Sequence, residues 1–138
     1  MQSAVPKGEG GMIAVLGSKI EFIEKLLEEN VNRYQCFIAN DNSDGQLVLS
    51  GKNEDLEKLC LDLKKNSIKN IILPVSAPFH CNLMKKATEI MKGEIEKLNF
   101  FSSKKNLVSN VTGKSINETV EIKNLLIKQI ESRVRWRD

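Results

Sequence analysis

Residues 11–30 read GMIAVLGSKIEFIEKLLEEN, and this stretch changes character at residue 18. Its first part, GMIAVLGS, is a short aliphatic run bounded by glycines, which predicts a buried strand. In its second part Ile20, Ile23 and Leu27 recur at helical spacing, which predicts an amphipathic helix. The first regular elements are therefore a strand and the helix that follows it.

The next segments extend this pattern to six elements. YQCFIAN (residues 34–40) and GQLVLSG (45–51) are two strand-like runs joined by the turn-rich DNSD, as in an antiparallel hairpin. Asn53 is the predicted N-cap of a second helix, and IKNIILPV (68–75) is a further strand. The order β-α-β-β-α-β is that of a ferredoxin-like fold, in which two helices cover one face of a four-stranded antiparallel sheet. The predicted class is α+β.

The pattern changes after Pro74. One long helix is predicted from about Cys81 to Leu98, a brief strand at KNLVSN (residues 105–110) and a second helix at about 121–133. One strand and two helices do not form a domain by themselves. We therefore expect them either to pack on the ferredoxin-like unit or to belong to a lobe whose other parts lie outside these 138 residues.

The composition is that of a globular chain. Of its 138 residues 41% are hydrophobic and 28% charged, and the net charge is +3. No apolar run approaches the ~18 residues needed to cross a bilayer, and MQSAVPKGEGG lacks a secretory pattern. The three cysteines form no CxxC pair, which favours reduced thiols. We expect a cytoplasmic protein without membrane contact.

Two classes of binding site lack the residues that they require. A metal site needs several ligands at fixed spacing, and one histidine beside one cysteine does not supply them. RNA-binding modules of the ferredoxin-like order stack bases on aromatic residues of the two central strands, and GMIAVLGS and GQLVLSG contain none. We therefore expect neither a metal ion nor a nucleic-acid partner.

The only histidine, His80, lies in PVSAPFHCNLM (residues 74–84). Pro74 and Pro78 limit the backbone freedom of this bend, so it would hold the imidazole in place, as general-base catalysis requires. A polar surface residue or a hydrogen-bonded packing residue is the alternative interpretation. The adjacent Cys81 is expected to be a buried thiol rather than a catalytic partner, because neighbouring residues at a helix start usually point in different directions.

The same bend resembles the histidine motif of a known enzyme family. LPVSAPFHCNLM is similar to that of malonyl-CoA:acyl carrier protein transacylases, and four further segments match the family in the right order. These segments are MQSAVPKGEGGMIAVLG, NDNSDGQLVLSG, LVSNVTG and VRW. The resemblance covers essentially all 138 residues.

The resemblance implies how the chain is divided. In that family a ferredoxin-like small subdomain is inserted in a larger α/β-hydrolase-like acyltransferase lobe, in agreement with the element order derived above. Residues 11–75 would be the small subdomain, and residues 1–10 would lead into it from the large lobe. Residues 76–138 would be an incomplete piece of the large lobe that carries the histidine motif.

The resemblance also implies roles for three residues. His80 would be the general base of a serine–histidine pair that moves malonyl from coenzyme A to the phosphopantetheine thiol of acyl carrier protein. No cofactor is implied, and backbone carbonyls would orient the ring. Asn42 and Gln46 match positions in a hairpin that faces the active-site cleft and are candidate substrate-binding residues. Turn formation is the alternative account of Asn42.

The nucleophile of the family is missing from the sequence. It lies in a G-x-S-x-G elbow, which does not occur in these 138 residues. The arginine that pairs with the malonyl carboxylate and the glutamine-containing loop of the oxyanion hole are absent as well. We therefore expect a fragment that has no transacylase activity alone, to which a second chain could supply the serine.

An alternative from another class is a non-catalytic binding module. A ferredoxin-like unit could dock on the acidic acyl carrier protein through lysines such as Lys85 and Lys86. It could also associate with itself through apolar surface left exposed by the missing lobe. Only the first of these contacts would weaken as salt screens the charges.

Overall fold

The largest element of the fold is a five-stranded mixed sheet. A computed structural model describes residues 5–6 and 8–138 of the chain. The strands of the sheet are β1 (Gly10–Leu16), β2 (Cys36–Ser43), β3 (Gln46–Lys52), β4 (Lys69–Ile72) and β7 (Val134–Arg135). They lie in the order β4-β1-β3-β2-β7. The first four pair antiparallel with their neighbours, whereas β7 runs parallel to β2.

Four α-helices accompany the sheet in the part of the chain that the structure describes. They are α1 (Ile20–Glu29), α2 (Asn53–Lys65), α3 (Lys85–Glu96) and α4 (Thr119–Lys128). A 3₁₀ turn at Asn82–Met84 precedes α3, and β5 (Leu107–Val108) and β6 (Ser115–Ile116) form a separate two-stranded antiparallel sheet. The predicted α+β class is confirmed, and residues 10–72 follow the predicted element order β-α-β-β-α-β.

The main core lies between α1, α2 and one face of the sheet. Alternate residues of a strand point to the same face, so Val15 and Leu49 meet Ile23 of α1 and Leu59 of α2. All four side chains are fully buried. The helical spacing seen in the sequence is therefore the spacing of the residues that face this core.

The opposite face of the sheet is partly covered by the chain that follows β4. Ser50 follows Leu49 in β3, so its side chain points away from the helices, and it is nevertheless fully buried. The residues that follow β4 include several that are almost fully buried, among them Ala77, Cys81 and Met84. The histidine bend is thus packed against the sheet and is not a free connection.

Two features of the predicted tail are wrong. The predicted helix from Cys81 to Leu98 is a 3₁₀ turn followed by the shorter α3. The predicted strand at residues 105–110 is present as the two-residue β5, but β6 and β7, also of two residues each, were not predicted. The last of these, β7, joins the main sheet, so the predicted four-stranded antiparallel sheet is five-stranded and mixed. Two-residue strands are too short to produce a hydrophobic period, which is why the sequence did not indicate them.

The position of β7 is fixed by contacts with Asp41. The Asp41 carbonyl accepts hydrogen bonds from the amides of Trp136 and Arg137, both at 3.1 Å. The Arg137 guanidinium also lies 2.9 Å from the buried Asp41 carboxylate. A charged side chain that is buried needs such a partner, and here the last residues of the chain provide it.

The start of the chain is described only in part. Residues 1–4 and 7 of the predicted lead-in (1–10) lie outside the described residues. Gly10 already belongs to β1. The predicted N-cap Asn53 is instead the first residue of α2, and its side chain donates a 2.6 Å hydrogen bond to the Gly8 carbonyl. Asn53 therefore ties this segment to the helix rather than capping the helix.

None of the helices in the described part of the chain is both long and apolar enough to span a bilayer.

The close approach of Gly10 to Pro78 predicts a stability difference between two glycine substitutions. A Cβ atom at residue 10 would lie 2.6 Å from Pro78 Cδ, whereas one at Gly93 of α3 would have no neighbour within 4 Å. We expect Gly10→Ala to lower the free energy of unfolding by about 1–3 kcal/mol through overpacking. Gly93→Ala should raise it by about 1 kcal/mol, because alanine favours a helix interior.

Urea unfolding monitored by circular dichroism measures both values. A Gly10→Ala variant as stable as the unsubstituted chain would show that Pro78 is not packed tightly against β1 at residue 10.

Candidate functional site

His80 occupies a strained backbone position. Its φ angle is 60°, in the left-handed region that favours glycine, and residues 79–80 form a turn. A side chain held in this region raises the free energy by roughly 1–3 kcal/mol and persists only where surrounding contacts fix it. Such contacts are present, because Ala77, Pro78 and Cys81 on either side are buried.

The ring of His80 is oriented by a backbone carbonyl. Nδ1 lies 2.8 Å from the carbonyl oxygen of Gln129, at the end of α4. A carbonyl only accepts hydrogen bonds, so Nδ1 carries the hydrogen and the lone pair of the neutral imidazole lies on Nε2. Nε2 is therefore the nitrogen that is able to accept a proton. The resemblance implied a carbonyl in this role, and the Gln129 carbonyl occupies it.

His80 lines an open cavity of about 460 Å³. Three carboxylates, Glu24, Glu28 and Glu131, also line it. The guanidinium of Arg133 lies 2.9 Å from the Glu24 carboxylate, and this ion pair joins the end of the chain to α1. None of the residues that line the cavity, all of them described, is a serine.

The two cysteines at this cavity are poor nucleophiles. Burial raises the pKa of Cys36 to about 12 and is the largest influence on the raised pKa of Cys81. A thiol reacts as its thiolate, so both groups are unreactive at neutral pH. The prediction that Cys81 is a buried thiol is confirmed, since 2% of it is exposed.

The other two predicted site residues lie apart from this cavity. Asn42 is a bulge residue of β2 that is skipped in the pairing with β3, and Gln46 is the exposed first residue of β3. Neither of these described residues lines the cavity of His80. The turn itself consists of Asp44 and Gly45, so turn formation does not account for Asn42. Their contact with a substrate stays a prediction.

A larger cavity, of about 740 Å³, lies elsewhere, between β1, α2 and the end of β4. Its lining is mainly apolar, and it does not include His80. Within the part of the chain that the structure describes, no group of three His, Cys, Asp or Glu side chains is arranged to hold a metal ion. The smaller cavity is the candidate site, because it contains the oriented imidazole.

Sequence reasoning missed Gln129 and Arg133. Gln129 contributes its backbone carbonyl, which every residue type possesses, so no residue pattern could have indicated it. Arg133 is one of several arginines near the end of the chain, and its pairing with Glu24 depends on the fold.

Comparisons with known proteins agree on one family, although no family model matches the chain. A malonyl CoA-acyl carrier protein transacylase of Salmonella typhimurium is 36% identical over 137 residues, which are 99% of this chain and 44% of that protein. The crystal structure of such a transacylase from Clostridium perfringens superposes with a TM-score of 0.93 at 37% identity, over 99% of this chain and 43% of that one.

A third similar protein was solved with a partner. It is a malonyl-transacylase in complex with a type II PKS acyl-carrier protein, with a TM-score of 0.91 and 32% identity over 98% of this chain and 44% of that one. The predicted resemblance to malonyl-CoA:acyl carrier protein transacylases is confirmed over the whole chain. The chain spans less than half the length of the proteins that it matches.

The backbone at residue 80 predicts an inverted preference between glycine and alanine. His80→Gly and His80→Ala both remove the ring, but only glycine adopts a φ of 60° without strain. We expect the glycine variant to be more stable by about 1 kcal/mol. At Glu89, exposed in the middle of α3, alanine should be more stable than glycine by about the same amount.

Urea unfolding of the four variants measures the two differences. An alanine variant at residue 80 that equals or exceeds the glycine variant would contradict the left-handed conformation.

Proposed function

We propose that this chain is the part of a malonyl CoA-acyl carrier protein transacylase of fatty acid biosynthesis that carries the general base, and that His80 is this base. The observation that carries the proposal is the 2.8 Å contact between His80 Nδ1 and the Gln129 carbonyl, which leaves Nε2 as the proton acceptor. The similarity of the whole chain to such transacylases supplies the reaction.

In the proposed reaction His80 Nε2 takes the proton of a serine hydroxyl while the serine oxygen attacks the thioester carbonyl of malonyl-CoA. The bond between the carbonyl carbon and sulfur breaks, and the proton passes from Nε2 to the departing coenzyme A thiolate. The second half runs the same steps in reverse, with the phosphopantetheine thiol of acyl carrier protein attacking the malonyl-serine ester. The charge of His80 returns to its initial value after each half-reaction.

The serine has to come from outside these 138 residues. The sequence contains no G-x-S-x-G elbow, and the cavity of His80 has no serine among its lining residues. A base without a nucleophile in the same site provides no rate advantage, because the gain from proximity requires both groups. We therefore propose that the chain alone is inactive.

We further propose that residues 11–75 form a ferredoxin-like subdomain and that residues 76–138 belong to a larger lobe. The strand order β4-β1-β3-β2, with α1 and α2 on one face, supports the first assignment. Exposed apolar side chains beyond residue 75, such as those of Phe101 and Trp136, support the second, because a further lobe would cover them. Asn42 and Gln46 would contact substrate only in that larger assembly.

A chimeric enzyme tests the role of His80. The segment of the Salmonella typhimurium relative that matches this chain is replaced by the chain itself, and malonyl transfer from malonyl-CoA to holo acyl carrier protein is measured. We expect turnover by the chimera and none by the isolated chain. His80→Ala in the chimera should lower kcat by about 10²–10⁴-fold, the usual contribution of a general base.

Glu89→Ala, on the exposed face of α3, is the matched control and should leave kcat unchanged. A folded chimera that keeps its activity after His80→Ala would refute the assignment of the base. Turnover by the isolated chain that depends on His80 would refute its proposed incompleteness.

A second candidate function is docking on acyl carrier protein without catalysis. Lys85 and Lys86 are exposed and are the first two residues of α3, where no acidic residue accompanies them. Positive charge at a helix N-terminus opposes the helix dipole, so local stability does not account for these lysines. An acidic partner would account for them, and one similar transacylase was solved with an acyl-carrier protein.

Titration of the chain with acyl carrier protein at low and high salt tests this candidate. We expect binding that weakens as salt rises and that is lost in the double variant Lys85→Glu, Lys86→Glu. The double variant Lys104→Glu, Lys105→Glu alters another exposed pair and serves as control. Binding whose affinity does not change with salt, or an equal loss of affinity in both double variants, would contradict docking through α3.

A further inference from the structure

A thiol closes the turn that carries His80. Cys81 Sγ donates a hydrogen bond to the Pro78 carbonyl at 3.1 Å, and Phe79 and His80 lie between the two bonded residues. The bond therefore spans the one residue of the bend whose φ angle is 60°. Any relaxation of His80 toward an ordinary φ has to move the ends of this bond.

The turn is fixed to the sheet on the side away from the solvent. Pro78 lies over β1 at Gly10, where no Cβ would fit. Cys81 lies beside Ser50 of β3, whose buried hydroxyl does not meet the geometry of a hydrogen bond with any described partner. The thiol of Cys81 thus lies between β3 and the turn.

The thiol is suited to donate at neutral pH. Burial, the largest influence, raises the pKa of Cys81, while the Ser50 hydroxyl and the Leu83 amide act in the opposite direction. The group therefore stays protonated under conditions in which the imidazole of a histidine titrates. A protonated thiol has one hydrogen to donate, and the Pro78 carbonyl receives it.

The orientation of the imidazole depends on the conformation of this turn. The Cα–Cβ direction of His80 changes with its φ angle, and the ring reaches the Gln129 carbonyl at 2.8 Å from a backbone with φ 60°. Loss of the bond across the turn would let the strained residue relax, because the free energy of a left-handed non-glycine residue falls when it leaves that region.

We propose that Cys81 is a positioning residue for His80: its thiol bond to the Pro78 carbonyl holds the turn in the conformation that keeps Nδ1 on the Gln129 carbonyl. The consequence for proton transfer rests on the proposed function of His80 as a base. The positioning itself does not, since it concerns which nitrogen of the ring carries the hydrogen.

The tautomer of His80 is the quantity to measure. His80 is the only histidine, so the imidazole nitrogens of the ¹⁵N-labelled 138-residue chain give one unambiguous set of NMR signals. They are recorded above the pH at which the ring is protonated. We expect the Nδ1–H tautomer in the unsubstituted chain and in Cys81→Ser, which keeps a donor at this position.

Two variants remove the donor. Cys81→Ala leaves a small cavity, whereas Cys81→Val roughly keeps the volume and suits the extended backbone of residue 81, which has φ −145° and ψ 171°. In both we expect the Nδ1–H form to lose its dominance and the ring to approach the mixture of a free imidazole, in which Nε2–H prevails. Cys60→Ala removes a half-buried thiol of α2 that packs against the main core between the helices and the sheet, and it should leave the tautomer of His80 unchanged.

The outcomes separate this proposal from the proposed function. An Nδ1–H tautomer that persists in a folded Cys81→Ala or Cys81→Val variant would overturn the positioning role, and so would a Cys81→Ser variant that behaves like them. The valine variant decides the matter if the alanine variant does not fold. A chimera whose kcat is unchanged by His80→Ala would overturn the proposed function of His80 as a base and leave the positioning result intact.

Discussion

The contact between Pro78 and the backbone of Gly10 determines how the two parts of the chain meet. A Cβ atom at residue 10 would lie 2.6 Å from Pro78 Cδ, so the bend approaches the sheet more closely than a side chain at this position would allow. Met84 and Ile130 are buried together beyond the bend, which joins the start of α3 to the end of α4. The carbonyl of Gln129 is held at His80 by this packing. The orientation of the imidazole therefore depends in part on how closely the bend approaches the sheet at Gly10.

The first half of the fold could be predicted because its signals are local and repeated. Aliphatic residues such as Val15 and Ile23 follow the period of a strand or a helix and face one core. Helix starts were less predictable. Asn53 is a favoured capping residue, yet Gly8 lies near enough to accept its side-chain hydrogen bond. Tertiary contacts here override a local preference, and a sequence does not report which contacts are available.

The site could be predicted only as far as its side chains reveal it. A single histidine between prolines and a resemblance in the surrounding motif identified His80 as a candidate. Its positive φ angle and its partner, the carbonyl of Gln129, could not be foreseen. Every residue type has the same backbone carbonyl, so the identity of a residue does not indicate what its carbonyl contacts. The bulge at Asn42 was hidden for a related reason, since one extra residue in a strand leaves the composition unchanged.

The parallel strand β7 has a consequence for how the chain is made. The ion pair between Arg133 and Glu24 joins side chains 109 positions apart, and β7 reaches β2 across a comparable length of chain. A ribosome releases Ile72, and with it the four antiparallel strands, long before Val134. During that interval the outer edge of β2 has no neighbouring strand, and an unpaired edge of this kind can form hydrogen bonds with strands of other polypeptides. Pairing of Val134 and Arg135 with β2 thus ends a period in which the nascent polypeptide is prone to aggregation.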